Sequence, residues 1–342
     1  MILYLRRVII LFLIFFSILS SSGQDAYFSQ FYANPLYLNP AFAGTVNCPR
    51  FTLNFRDQWP AIKRNFVTFS GSYDQHIYAI HGGIGVLATA DIQGGGIFQT
   101  YNIGAIYNFR VQISNQFCLQ LAFQGSYFYN SLNWDKLLFA SDLVNSYTLS
   151  DLPKDQSSDL KKSQFDASIG IVGYTPYLYF GLAVHHLLPL QMSFFRNSSD
   201  KFKTIWEPKW TAHVGGKIII KQKMKDEVNF GDIFIYPNIV FISQGNCNYL
   251  HEGFYFNFYP FTIGSWLRHS FKNFEAFIIS CGVEYKIFRI GYSYDFSLTK
   301  LEKTGGAHEV SLQFMIPCNP EKMKKSAQRK NTRFSAVACP TF

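Results

Sequence analysis

Charge is what this chain most lacks. Only 15% of its 342 residues are Asp, Glu, Lys or Arg, where a water-soluble domain carries about 25%. Long apolar runs are also missing. Beyond the first two dozen residues no stretch reaches the roughly 20 apolar residues that a membrane-spanning helix needs, and mean hydropathy is near zero, which excludes a bundle of membrane helices. Signatures of catalysis are equally scarce. Gly82-Gly83-Ile84-Gly85 lies in an extended stretch with no helix after it, so it is not a phosphate-binding loop. Asp151, Asp155 and Asp159 lack the Gly and terminal Glu of a calcium loop. His185 and His186 are adjacent on one expected strand, so they should face opposite ways and cannot share a metal. The six Cys show neither CxxC spacing nor His companions, which argues against zinc. Without a recognisable nucleophile and base, no enzymatic activity, cofactor or metal is expected.

Aromatic residues, by contrast, are abundant: 36 Phe and 21 Tyr. They alternate with small polar residues at period two. Phe117, Leu119, Leu121, Phe123, Tyr127 and Tyr129 share one face, and Cys118, Gln120, Ala122, Gln124 and Ser126 the other. Phe288, Ile290, Tyr292, Tyr294 and Phe296 likewise oppose Arg289, Gly291, Ser293 and Asp295. A soluble sandwich alternates too, but its outward face is rich in Lys, Glu and Thr. A polar face of Gly, Ser, Gln and Asn suits a crowded lumen, with the aromatics turned to lipid. The expected fold is therefore all-β: a transmembrane, antiparallel outer-membrane barrel. Alternation marks about fourteen strands, at 50–58, 65–74, 80–90, 98–109, 116–130, 165–174, 177–187, 208–220, 232–242, 251–259, 262–269, 274–285, 287–297 and 309–316. An even count returns the chain to its starting side. Short turns are periplasmic and long loops extracellular in bacterial barrels, so both termini are expected in the periplasm. The connection 221–231 is longer than its expected periplasmic side favours.

Three segments lie outside the strands. Residues 1–23 carry Arg6 and Arg7, an apolar run from Val8 to Leu19 and small residues before Gln24, the pattern of a cleavable secretory signal. Residues 24–49 are rich in Asn, Pro and aromatics without a period. Pro35 and Pro40 each remove a donor and fix φ, so Asn34 to Ala41 cannot be a long strand. This segment is expected to pack under or into the barrel from the periplasmic side. Residues 317–342 form a basic tail, with Lys322, Lys324, Lys325, Arg329, Lys330 and Arg333 against a single acid, Glu321. For an exported chain this basicity suits an acidic protein surface, not nucleic acid. Export permits disulfides, and Cys318 with Cys339 is the pair the tail itself suggests. On the expected inward face, Arg268, Glu284, Arg289 and Asp295 form a lumen charge network, which either fills the lumen or binds a plug or passing chain.

Several blocks carry a resemblance. QDAYFSQFYANPLYLNPAFAG (Gln24 to Gly44), RDQWPAI (Arg56 to Ile62), SYD (Ser72 to Asp74), NWDKL (Asn133 to Leu137), GLAVHHL (Gly181 to Leu187), GAHEVSL (Gly306 to Leu312) and CPTF (Cys339 to Phe342) occur in the order found in the PorP/SprF family. That family comprises outer-membrane barrels attached to the type IX secretion system, and the chain resembles it along its whole length. The resemblance implies fourteen strands and an accessory role. The implied partners are the periplasmic ring and lipoprotein components of that system, a secreted surface cargo such as an adhesin linked to gliding, and outer-membrane lipid. Candidate partner-binding residues are Asn34, Pro35, Leu36, Tyr37, Asn39 and Pro40 in the leading segment, and Lys324, Lys325, Arg329, Lys330, Arg333 and Phe342 in the tail. The rival expectation is a porin or hydrophobic-solute channel; a porin needs a hydrated lumen, for which fourteen strands leave room unless a plug fills it.

Overall fold

A computed structural model describes residues 24–114, 116–133, 136, 160–191, 194, 205–223, 230–299 and 301–318. The expected signal, most of the two longest loops and the tail beyond Cys318 therefore lie outside the described residues. The strands are β1 (Arg50–Gln58), β2 (Phe66–Ile77), β3 (Gly82–Gln93), β4 (Phe98–Gln112), β5 (Cys118–Leu132), β6 (Lys161–Tyr174), β7 (Leu178–His185), β8 (Lys209–Gly216), β9 (Ile218–Lys221), β10 (Ile233–Gln244), β11 (Cys247–Phe258), β12 (Phe261–Ser270), β13 (Phe274–Tyr285), β14 (Phe288–Ser297) and β15 (Ala307–Met315). Both β8 and β9 pair antiparallel with β10. They are two pieces of one barrel strand interrupted at Lys217, whose ammonium sits 4.3 Å from the Phe234 ring centroid. The barrel thus has fourteen strands, as alternation indicated.

Every neighbour is antiparallel, and β1 pairs with β15 from Arg50↔Met315 to Gln58↔Ala307, closing the sheet. Closure leaves no open edge along the wall, the condition for a sheet in hydrocarbon; only the short β9, beyond the start of β7, is paired on one side alone. The alternation sorts the faces. Leu121 and Phe123 are 45% and 57% exposed on the outside, while Gln120 and Gln124, which flank them, are 0% and 3% exposed. The same split runs around the wall, with Leu53, Ile103, Ile169, Leu182, Ile239, Ile263 and Ile290 turned outward. The long connections 133–160, 186–208 and 298–306 leave one mouth; 78–81, 113–117, 175–177, 259–260 and 286–287 leave the other, together with 222–232, which stays the long exception on that side.

Two expectations change. The proposed Cys318–Cys339 pair is replaced by Cys48–Cys318, with Cα atoms 5.5 Å apart. The antiparallel seam explains it: pairing Arg50 with Met315 brings the residues before β1 opposite those after β15. The connection between β10 and β11 shrinks to Gly245-Asn246, because both strands extend further than their alternation showed.

Arg placed at the lipid midplane of a barrel costs about 2–4 kcal/mol. Phe123→Arg should therefore lower the heat-modifiable, folded fraction recovered from membranes. Thr262→Arg, on the lumen face and only partly buried, should leave it close to that of the parent. Equal yields from the two variants would show the faces to be misassigned.

Candidate functional site in the plugged lumen

The polar face of a closed barrel cannot be left dry and unpaired. Here the leading segment fills it. Residues 24–49 run the length of the lumen, from the long-connection mouth at Asp25, whose N–H donates to Gln244 Oε1 at 2.9 Å, to the short-turn mouth at Cys48. The segment folds as three short helical turns, Phe31–Ala33, Pro35–Leu38 and Pro40–Phe42. Pro35 and Pro40 each occupy the first helical position, where the missing N–H costs nothing. Of the two placements expected, under or into the barrel, the segment takes the second. The segment lies inside the wall, and its leading end is at the mouth opposite Cys48.

Its apolar side chains make the core. Phe31, Leu36, Leu38, Ala41 and Phe42 are at most 4% exposed and cluster with Val172, Tyr179, Val240, Trp266 and Ile278 from the wall. Full burial of each large apolar side chain stabilises by about 1.5–3 kcal/mol. Two wall glycines permit the close fit. A Cβ on Gly170 would lie 2.1 Å from Asn39 Oδ1, and one on Gly83 would lie 2.3 Å from the Ala43 carbonyl oxygen. Within the Gly82–Gly85 run, Gly83 seats the segment's backbone and Gly85 its Leu36 and Ala43 side chains.

Polar contacts hold the segment largely through its main chain. Near the long-connection mouth the Glu309 carboxylate accepts the N–H groups of Ser29 at 2.7 Å and Gln30 at 3.0 Å. Arg56 bridges Glu309 at 3.2 Å and Asp295 at 2.9 Å, and Arg268 reaches Asp295 at 3.1 Å. The Tyr27 ring lies 5.0 Å from the Arg56 guanidinium and 4.6 Å from that of Arg268. Toward the other mouth, Asn108 Nδ2 donates to the carbonyls of Ala41 and Ala43, both at 2.7 Å, and Arg110 to that of Gly44 at 2.6 Å. Asp74 accepts from Gly44 N–H at 2.8 Å and from Arg50 Nε at 2.8 Å. Between them Asn39 Nδ2 donates to the carbonyls of Ile171 and Leu182, each at 3.1 Å.

A second charged cage surrounds Asp25. His186 binds Asp25 through Nε2 at 3.0 Å and Asp166 through Nδ1 at 2.9 Å, and Lys209 Nζ also donates to Asp25. Burial disfavours charge on His186, but Asp25 and Asp166 override it and raise its pKa to about 9. Burial works against Asp25 as well, and the charges of His186 and Lys209 hold it well below the usual carboxylate range. The expectation that His185 and His186 face opposite ways fails. β7 ends at His185, and His186 takes a left-handed backbone with φ 60°, which turns both rings inward.

Of the anticipated lumen charges, Arg268 and Asp295 meet in one network, while Glu284 and Arg289 form a separate pair at 2.6 Å toward the short-turn mouth. Sequence reasoning missed Arg56, Glu309, Asp74, Asp25 and Lys209. The first three lie within the blocks Arg56 to Ile62, Gly306 to Leu312 and Ser72 to Asp74, on the polar face of their strands, so strand parity alone could have found them. Asn34, Pro35, Leu36, Asn39 and Pro40 are buried, and Tyr37 partly so, within the wall. Leu36 packs in the apolar cluster with wall residues and Asn39 donates to wall carbonyls. Lys324, Lys325, Arg329, Lys330, Arg333 and Phe342 lie outside the described residues. Among the described residues no group of three His, Cys, Asp or Glu could hold a metal ion.

No curated protein matches the chain. Solved barrels resemble it only distantly. The toluene transporter TbuX of Ralstonia pickettii is 10% identical, with 82% of this chain and 93% of that one covered at a TM-score of 0.45. The CymD monoaromatic hydrocarbon channel is 10% identical over 86% and 96%, at 0.47. The outer-membrane protein Omp33 of Acinetobacter baumannii is 8% identical over 80% and 100%, at 0.43. The family described as type IX secretion system membrane protein PorP/SprF matches residues 20–314. With fourteen lipid-facing strands closed around their own leading segment, the chain belongs to the PorP/SprF family of type IX secretion system membrane proteins.

Proposed function

We propose that this protein is a non-enzymatic, plugged outer-membrane component of the type IX secretion apparatus. In this reading it docks to the periplasmic machinery and supports the secretion or surface attachment of a specific cargo. The observation that carries the reading is the family match over residues 20–314. The filled lumen supports it over the rival porin reading, since fourteen strands leave a channel only where nothing occupies it. The short-turn mouth is taken as periplasmic and the long connections as extracellular, following the loop asymmetry of bacterial barrels.

The basic tail after Cys318 then leaves the barrel on the periplasmic side. A barrel needs no such extension to fold, because Leu312 and Gln313 of β15 already have wall partners on both sides. Lys324, Lys325, Arg329, Lys330 and Arg333, followed by Phe342, suit a segment steered by charge and anchored by an apolar contact. Asn34 to Pro40 are assigned the role of stopper, because they are enclosed by the wall.

Deleting Ser326 to Phe342 should leave a heat-modifiable barrel in the outer membrane but abolish co-purification of periplasmic partners after mild crosslinking, together with cargo display. Undiminished recovery and display in the truncated strain would rule out the tail as docking element. In planar bilayers the intact protein should be electrically silent, and a variant lacking residues 25–46 should show discrete conductance steps. Open-pore conductance in the intact protein would favour the porin reading.

A further inference from the structure

Beside Asp25, at the long-connection mouth, a cavity of about 610 Å³, counting its opening, separates the plug from strands β2 to β6. Sheet register fixes its wall. Thr68, Asp91 and Thr100 are successive cross-strand partners, and Thr89 opposite Asn102 forms the next row on the same face. Gln124 and Ser126 continue the lining on β5, and Phe128, Trp206 and Tyr37 supply aromatic faces.

The charges around this cavity do not balance. Asp25 and Asp166 are matched by Lys209 and His186. Asp91 accepts only neutral donors, Thr68 Oγ1 at 2.7 Å and Gln93 Nε2 at 2.6 Å, and has no ion pair among the described residues. The neutral groups are unbalanced too. Thr100 Oγ1, Asn102 Oδ1 and Gln124 Oε1 are buried without a hydrogen-bond partner, on residues of which Thr100 and Gln124 are only 7% and 3% exposed. Buried polar groups normally find partners, and Asp91, half-buried at the mouth, has only neutral donors among the described residues. What is missing is a positive charge that brings several N–H donors. An aromatic border adds to the attraction for such a group.

We propose that this cavity binds the guanidinium or ammonium group of an arginine or lysine side chain presented by another polypeptide. Asp91 serves as its counter-ion, with Thr100, Asn102 and Gln124 as neutral acceptors. The site is independent of which membrane side this mouth faces. It differs from the contacts that hold the plug, because Asp91 makes none of them among the described residues.

The test is calorimetric titration of the full-length barrel in detergent with N-acetyl-arginine amide, with the neutral isostere N-acetyl-citrulline amide and with spermidine. A hydrogen-bonded charge contributes about 1.5–3 kcal/mol, so the arginine derivative should bind roughly ten- to a hundredfold more tightly than the citrulline one. Asp91→Asn should remove that preference. Asn102→Ala, which keeps the charge, should weaken arginine binding while retaining it. Heat-modifiable mobility verifies that each variant is folded. Equal binding of arginine and citrulline derivatives, or binding of neither, overturns the proposal and leaves a water-filled cavity. Tight binding of spermidine without the arginine derivative overturns the polypeptide assignment in favour of a small free cation.

Discussion

A closed sheet in lipid turns half of its side chains into an enclosed space, and in this protein those side chains are Arg, Asp, Glu, His, Asn and Gln as well as Ser and Thr. Such groups tolerate enclosure only when each finds a partner. Residues 24–49 meet much of that demand with an irregular backbone. Because its turns leave N–H and C=O groups unpaired within the segment, it has donors and acceptors to offer the wall: Ser29 and Gln30 to Glu309, Ala41 and Ala43 to Asn108, Gly44 to Asp74 and Arg110. A regular strand or long helix would consume those groups internally and leave the wall unsatisfied.

The same logic explains the two layers of the lumen. Apolar side chains of the segment gather at mid-barrel around Trp266 and Tyr179. The ionic groups form separate cages toward the two mouths, Arg56–Glu309–Asp295 and Asp25–His186 at one and Arg50–Asp74 at the other. Breaking a buried pair by removing one partner costs about 3–5 kcal/mol, because an uncompensated charge remains. The cages therefore set the register of the segment along the barrel, and the apolar middle supplies most of the burial.

Much of the wall was legible in the sequence because alternation is local. Phe117 to Tyr129 announces its two faces without reference to any other strand, and so does Phe288 to Phe296. What escaped depends on closure. The Cys48–Cys318 bond follows from pairing the first strand with the last, a contact across 270 residues that no local pattern encodes. The interior position of Asn34 to Pro40 was half-legible: the prolines forbade a strand and the apolar residues required cover, but nothing local distinguished a lid from a core. His186 was misjudged for a backbone reason, since strand parity stops applying once φ turns positive. The break that divides β8 from β9 at Lys217 was legible but unused: it follows Gly215-Gly216, a glycine pair inside the expected strand 208–220.

The disulfide has a consequence for traffic. A membrane barrel can exchange material with its surroundings along its axis, or sideways by parting two neighbouring strands into the bilayer. Separation is easiest to imagine where the first strand meets the last, since no turn joins them there. Cys48–Cys318 supplies a covalent link at the short-turn end of that junction, in place of the missing hairpin. In an oxidising compartment the bond persists, and the seam becomes one more tethered neighbour among fourteen. Lateral release through it is closed at that end, and anything leaving the interior lengthwise must pass the cages at one mouth or the other.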